Sequence, residues 1–176
     1  MAKNVAVLVV NPVNGMGLFK YLEAFTESGI PFKTFAVAET TMVKTNSGVN
    51  LITDDLVTNL KKWTDEFDAV VFACGNAMPV FAQNVDKPYN QDMLTVLGLF
   101  GAKNKLIVGH CVSALMFDIA GIATGKRVAL HPFVRQAVKS AIATDELTVV
   151  DGNFYTAQNE NAIEMMLPQL LEALKA

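Results

Sequence analysis

The stretch VGHCVSALMF, residues 108–117, sets a cysteine between a β-like apolar run and the small-residue start of a helix. KLIVGH, residues 105–110, is almost continuously apolar, as a strand buried on both faces has to be. VSALMFDIAG then reads as a short helix ended by Gly121. A strand that turns sharply into a helix at a nucleophilic residue, with small residues two positions to each side, is a nucleophile elbow. Here the five positions are Gly109, His110, Cys111, Val112 and Ser113. Such a turn places the Cys111 sulfur at the start of a helix, where the dipole and free N–H groups favour thiolate over thiol. Spacing alone leaves a second reading open, a small thiol packed at a strand end, since free cysteine is among the most buried residue types.

Outward from the elbow, the chain alternates β-branched runs with helical patterns. VAVLVV at 5–10 precedes Leu18, Leu22 and Phe25 at helical spacing, closed by Gly29. FKTFAVA at 32–38 is a strand, and VKTNSGVNLIT holds a turn signal at Asn46, Ser47 and Gly48 between two short β pieces. Thr53 is placed to cap a helix carrying Leu56, Leu60 and Trp63. DAVVFAC at 68–74 is another buried strand, with helical segments near 79–84 and 90–100 before the elbow strand. KRVAL leads into HPFVRQAVKSA, and LTVVDGNFYTA carries Asp151-Gly152, the strongest short hairpin signal in the chain. A last helix over about 160–174 puts Ile163, Met166, Leu167, Leu170 and Leu174 on one face. Repeated strand, helix, strand order implies right-handed crossovers and a parallel sheet between two layers of helices. No repeat or linker divides it, so residues 1–176 read as one domain.

Composition narrows the function classes. Of 176 residues, 52% are hydrophobic and 18% charged, a balance that suits a doubly covered sheet. The net charge of −3 comes with no Lys/Arg cluster, which argues against a nucleic-acid partner. The apolar run at Val5–Val10 is too short for a signal core, and no later run has the length of a membrane span, so neither export nor membrane association is expected. Two cysteines without an export signal point to a reducing cytoplasm, where a cysteine is reactive or packed more often than bridged.

In open parallel sheets the ligand site lies beyond the carboxyl ends of the strands. Three such ends are legible: Asn11 to Gly17, Cys74-Gly75-Asn76, and Gly109-His110-Cys111. Both cysteines therefore fall on the same edge. Cys74 lacks the flanking glycine of an elbow, and whether it meets Cys111 depends on a Cα separation below about 7 Å, which spacing does not fix. Asn11, Asn76, Gln158 and Asn159 are either neutral polar lining for an uncharged ligand or turn formers; Asn14 is read as a turn former.

With these stretches in place, the chain resembles the ThiJ/PfpI superfamily, which includes intracellular protease I, the Parkinsonism-associated deglycase and glyoxalase-like members. The residues that carry the resemblance are VAVLVVNPVNG, FDAVVFACGN, VGHCVSALMF, GKRVALHP and VVDGNFYTAQNENAIEMML, in that order along nearly the whole chain. It implies a flavodoxin-like three-layer α/β/α sandwich with a mostly parallel sheet, related to class I glutamine amidotransferases and usually dimeric. It also implies that Cys111 is the elbow nucleophile, with an oxyanion hole formed by the backbone N–H groups of Gly75, Asn76 and Val112. His131, in LHPF, matches a histidine that lies near the cysteine in some members.

Departures from the pattern matter as much. The family's carboxylate after the first strand is missing from NPVNGMGLF, and the histidine that follows the cysteine in protease-like members is replaced by Val112. His110 precedes the cysteine instead, where an elbow side chain ordinarily points away from the site. Cys74 stands where a two-glycine turn is usual, narrowing the pocket or adding a second thiol. The resulting expectation is a cysteine-dependent enzyme of small carbonyl or amide compounds, with Cys111 as nucleophile and His131 or His110 moving the proton. It needs no cofactor, and neither peptidase nor robust glyoxalase chemistry is expected. The alternative is a stress- or redox-responsive protein whose Cys111 meets an oxidant, with Cys74 as a resolving thiol. A metal centre built on Cys74, Cys111 and a histidine is a third reading that no ligand spacing supports.

Overall fold

The computed structural model describes residues 1–176. In chain order the first half comprises β1 (Val5–Val10), α1 (Gly15–Glu27), β2 (Phe32–Val37), β3 (Met42–Lys44), β4 (Asn50–Ile52), β5 (Asp55–Leu56), α2 (Val57–Leu60), β6 (Ala69–Ala73) and α3 (Pro88–Ala102). The second half comprises β7 (Leu106–His110), α4 (Ser113–Ile119), β8 (Arg127–Val128), β9 (Ile142–Ala143), β10 (Thr148–Asp151), β11 (Phe154–Ala157) and α5 (Ile163–Lys175).

Seven strands form one sheet in the order β10-β11-β7-β6-β1-β2-β5, parallel except for β10 against β11. The apolar runs explain which strands sit inside it. All six residues of β1 and all five of β6 are buried, so both faces of these strands are covered by helices. Helix α1 lies against α5, while α3 contacts both α2 and α4, giving a helical layer on each side. This is the flavodoxin-like α/β/α sandwich with a mostly parallel sheet that the sequence implied. No helix is long and apolar enough to cross a membrane.

Local differences from the sequence reading have physical causes. Thr53 caps no helix: its hydroxyl donates to the carbonyls of Thr41 and Asp55, and Asp55 and Leu56 extend the sheet edge beside β2. Only Val57–Leu60 is then α-helical, and Trp63 is half exposed. The segment near 79–84 is a tight helical turn over Met78–Gln83 rather than a regular helix. At the C-terminal hairpin, Asp151 pairs with Phe154, so the two-residue loop is Gly152-Asn153, with Gly152 at φ +60°. The turn signal was displaced by one residue because Asp151 serves the ladder and accepts the Arg127 N–H.

Hairpin β3-β4 stands outside the main sheet and is docked onto the β1–α1 loop. Val13 N–H donates to Lys44 O and Asn46 N–H to Val13 O, which brings the hairpin tip to the carboxyl edge of the sheet.

Candidate active site

Three strand ends and the hairpin tip enclose a cavity of about 110 Å³. The β1–α1 loop contributes Asn14; the end of β6 contributes Cys74, Gly75 and Asn76; the elbow contributes His110, Cys111 and Val112. Asn46 reaches in from the hairpin. A wider cleft, about 520 Å³, lies along Lys33, Asp54, Asp55 and Trp63 but contains neither cysteine nor histidine.

Cys111 has φ +57°, in the left-handed region that side-chain-bearing residues avoid, at a cost of order 1–3 kcal/mol. The surrounding hydrogen bonds hold it there. Its N–H donates to Ala157 O at 3.0 Å, and its carbonyl accepts from His131 N–H at 3.0 Å. One turn on, Ser113 Oγ accepts from His110 N–H at 3.1 Å and faces the carbonyls of His110 at 2.6 Å and Phe72 at 3.1 Å. A Cβ on Gly109 would lie 2.4 Å from the Ser113 Cβ, so the small residues of the elbow are a packing requirement.

The thiols form a pair. Cys74 is buried and Cys111 half-buried, and neither is in a disulfide. The Cys74 S–H acts as hydrogen-bond donor to Cys111, which lowers the Cys111 pKa; burial and the charge of Glu160 oppose this, and the Val112 N–H assists. Cys74 is pushed well up by its hydrogen bond with Cys111, by burial and by the neighbouring charge. Of the two thiols, Cys111 is therefore the one that ionises more readily and Cys74 the one that keeps its proton longer. The N–H groups of Gly75 and Val112, two of the three expected oxyanion donors, face the Cys74 sulfur. The third, Asn76 N–H, is already donated to Asn46 Oδ1 at 3.0 Å.

His110 is among the residues that line the cavity, and its ring packs into the interior against α1, where Gly17 leaves room for it: a Cβ at position 17 would stand 2.5 Å from Nε2. The ring is 1% exposed, and burial lowers its pKa to about 4, with Glu160 pulling the other way. It is therefore neutral near pH 7. Neither ring nitrogen has a hydrogen-bond partner, nor does the hydroxyl of Tyr21, whose ring centroid is 5.7 Å away. Burial drives the Tyr21 pKa far up, and the neighbouring Cys74 adds to it.

Other expected residues fall elsewhere. His131 binds the elbow through its backbone, but its Nδ1 accepts from Phe133 N–H at 3.3 Å and its ring does not line the cavity. Asn11 accepts the Lys44 N–H at 2.9 Å and faces a different cleft, so its amide holds β3 instead of contacting the thiols. Asn159 accepts the N–H groups of Asn161 and Ala162 at the start of α5, and Asn14 caps α1 by accepting from Gly17 N–H at 2.8 Å while also lining the cavity. Neither Asn46 nor Glu160 is among the site residues expected from the sequence. Asn46 sat inside an ordinary turn signal, and Glu160 reaches the site only through the β11–α5 connection. No group of three or more His, Cys, Asp or Glu side chains is clustered as a metal site.

Comparison with known proteins agrees with this fold. The family model for the DJ-1/PfpI family matches residues 3–173. Protein ppBat of Bacteroides thetaiotaomicron is 58% identical over 175 residues, covering 99% of this chain and all of that protein. An uncharacterized Methanocaldococcus jannaschii protein is 27% identical over 115 residues, 63% of this chain and 54% of its own length. Among solved structures, a Bacteroides thetaiotaomicron protein described as a candidate protease I superposes with a TM-score of 0.98 at 58% identity, over 99% of this chain and 100% of that one. Drosophila melanogaster DJ-1beta superposes at 0.84 with 19% identity, over 99% and 91%, a likeness of fold. On the family match and the full-length relative, the chain belongs to the DJ-1/PfpI family.

Proposed function

We propose that the protein is a cysteine-dependent enzyme in which the Cys111 thiolate attacks a small, uncharged carbonyl or amide compound. The observation that carries this reading is the pairing of a left-handed elbow cysteine with a thiol donor, at a cavity of about 110 Å³ lined by the residues Asn14, Asn46 and Asn76 and by no charged side chain. A cavity of that size and polarity suits a neutral ligand of a few heavy atoms, and amides there hydrogen-bond a carbonyl or hydroxyl without demanding charge.

Charge flow through the pair is balanced. As the Cys111 sulfur bonds to the carbonyl carbon, the C=O π pair moves to oxygen and the Cys74 proton follows it. Cys74 is left as a thiolate facing the Gly75 and Val112 N–H groups, which favour its charged form. A thiol thus takes the place of the family's carboxylate as hydrogen-bond partner of the nucleophile. The neutral His110 imidazole on the wall is the remaining group able to accept or return a proton.

The test is consumption of a panel of small neutral aldehydes, 2-oxoaldehydes and primary amides, followed by proton NMR, with wild type and Cys111→Ser. Turnover in wild type that is lost in Cys111→Ser is expected. Equal consumption by both proteins, or none by either, would reject the reading.

A further inference from the structure

We propose that Cys74 and Cys111 form a reversible intramolecular disulfide when the protein meets a small hydroperoxide, making the site a peroxide-reducing dithiol. This deepens the reading of Cys111 as an activated nucleophile and rests on it.

Strand register is the first support. The parallel β6–β7 ladder pairs Ala69 with Leu106 and Phe72 with Gly109, and the same register continued two residues puts Cys74 opposite Cys111. Adjacent strands lie about 4.8 Å apart, inside the Cα window of roughly 4.4–6.8 Å in which a disulfide closes. Access is the second support. Cys111 is half-buried at the cavity while Cys74 is 2% exposed behind it, so an oxidant entering from solvent meets Cys111 first. A cavity of about 110 Å³ selects hydrogen peroxide or a short alkyl hydroperoxide over a bulky one.

The steps balance as follows. The Cys111 thiolate attacks the outer peroxide oxygen; an S–O bond forms, the O–O bond breaks, and the leaving alkoxide takes a proton from solvent to become alcohol, or water from hydrogen peroxide. Cys111 is now a sulfenic acid, and the peroxide has gained two electrons. Loss of the Cys111 negative charge removes the neighbour that held the proton on Cys74, leaving the Gly75 and Val112 N–H groups to stabilise a Cys74 thiolate. As Cys74 passes its proton to the Cys111 hydroxyl it attacks the Cys111 sulfur; S–S forms as S–O breaks, and water leaves. An external dithiol returns the pair to its starting state. Resolution from beneath also protects Cys111 from further oxidation to sulfinic acid.

The experiment exposes the full chain to one equivalent of hydrogen peroxide at pH 7. The reaction is blocked with N-ethylmaleimide, and intact and digested protein are weighed by mass spectrometry. Expected is a loss of two hydrogens, no maleimide on either cysteine, a single peptide pair joined through Cys74 and Cys111, and full reversal by dithiothreitol. Cys74→Ser and Cys74→Ala should instead accumulate dimedone-trappable sulfenic acid and then sulfinic acid at Cys111. Wild type that accumulates sulfinic acid at the same rate as these variants, keeps Cys74 open to maleimide after denaturation, or joins chains to one another would overturn the proposal. Iodoacetamide separates the two levels: Cys111 that alkylates readily but forms no Cys74 disulfide defeats this proposal alone. Cys111 inert to both reagents defeats the nucleophile reading as well.

Discussion

A Cβ on Gly17 would stand 2.5 Å from Nε2 of His110 and 2.8 Å from its Cε1, so the first turn of α1 and the imidazole before Cys111 fit only because position 17 has no side chain. A side chain from α1 and the His110 ring cannot share that space.

Gly17→Ala measures this steric conflict directly. In wild type the overpacking cost of roughly 1–3 kcal/mol outweighs a helix-propensity gain of about 1 kcal/mol, and net destabilisation is expected in urea unfolding. In a His110→Ala background the same substitution should become neutral or stabilising. An unchanged cost in that background would show that the ring is not the obstacle.

Acid titration of His110 predicts a specific pH dependence of stability. Its folded pKa is lowered to about 4 by burial, against roughly 6.5 for an unfolded histidine. Between these values the unfolded chain binds the proton and the folded chain does not, so stability falls as pH drops through this window and is retained above it. The contribution approaches about 3 kcal/mol at its full extent. Urea midpoints at pH 7 and pH 4.5 should diverge in wild type and converge substantially in His110→Phe.

Glu160 is the carboxylate whose charge opposes ionisation of Cys111 and supports protonation of His110. Glu160→Gln should shift Cys111 alkylation to lower pH and speed it at pH 6. Raising the ionic strength should shrink the difference between the two proteins, because charges that act through solvent are screened. Identical pH profiles would remove Glu160 from the electrostatics of the site.

Asp118 anchors the segment after the elbow helix. Its carboxylate accepts from the N–H groups of Lys139, Ser140 and Ala141 at 2.7, 3.0 and 2.8 Å. Asp118→Ala leaves three backbone donors without their acceptor, and a loss of about 2–4 kcal/mol is expected, given 1–3 kcal/mol for a single buried polar group. Hydrogen exchange at residues 139–141 should rise by more than it does elsewhere. A uniform rise would indicate global loosening only.

Much of this architecture could be read along the chain because the decisive signals were local. VAVLVV and DAVVFAC declare doubly buried strands, and the Gly109 to Ser113 spacing declares the elbow, since each depends on neighbouring residues. What escaped depends on residues far apart in sequence. The His110 ring fits against α1 because of Gly17, Asn46 arrives through the docking of a hairpin on Val13, and Glu160 acts from the end of the sheet. The same distance effect misplaced Thr53, whose capping signal yielded to sheet pairing at Asp55 and Leu56.

The most direct measurement is the pH dependence of Cys111 alkylation by iodoacetamide in wild type and Cys74→Ala. The account predicts an apparent pKa for Cys111 below the ordinary cysteine value of about 8.5, moving up when the Cys74 donor is removed. A Cys111 that titrates at or above that value, or that ignores the loss of Cys74, would contradict the shared-proton pair.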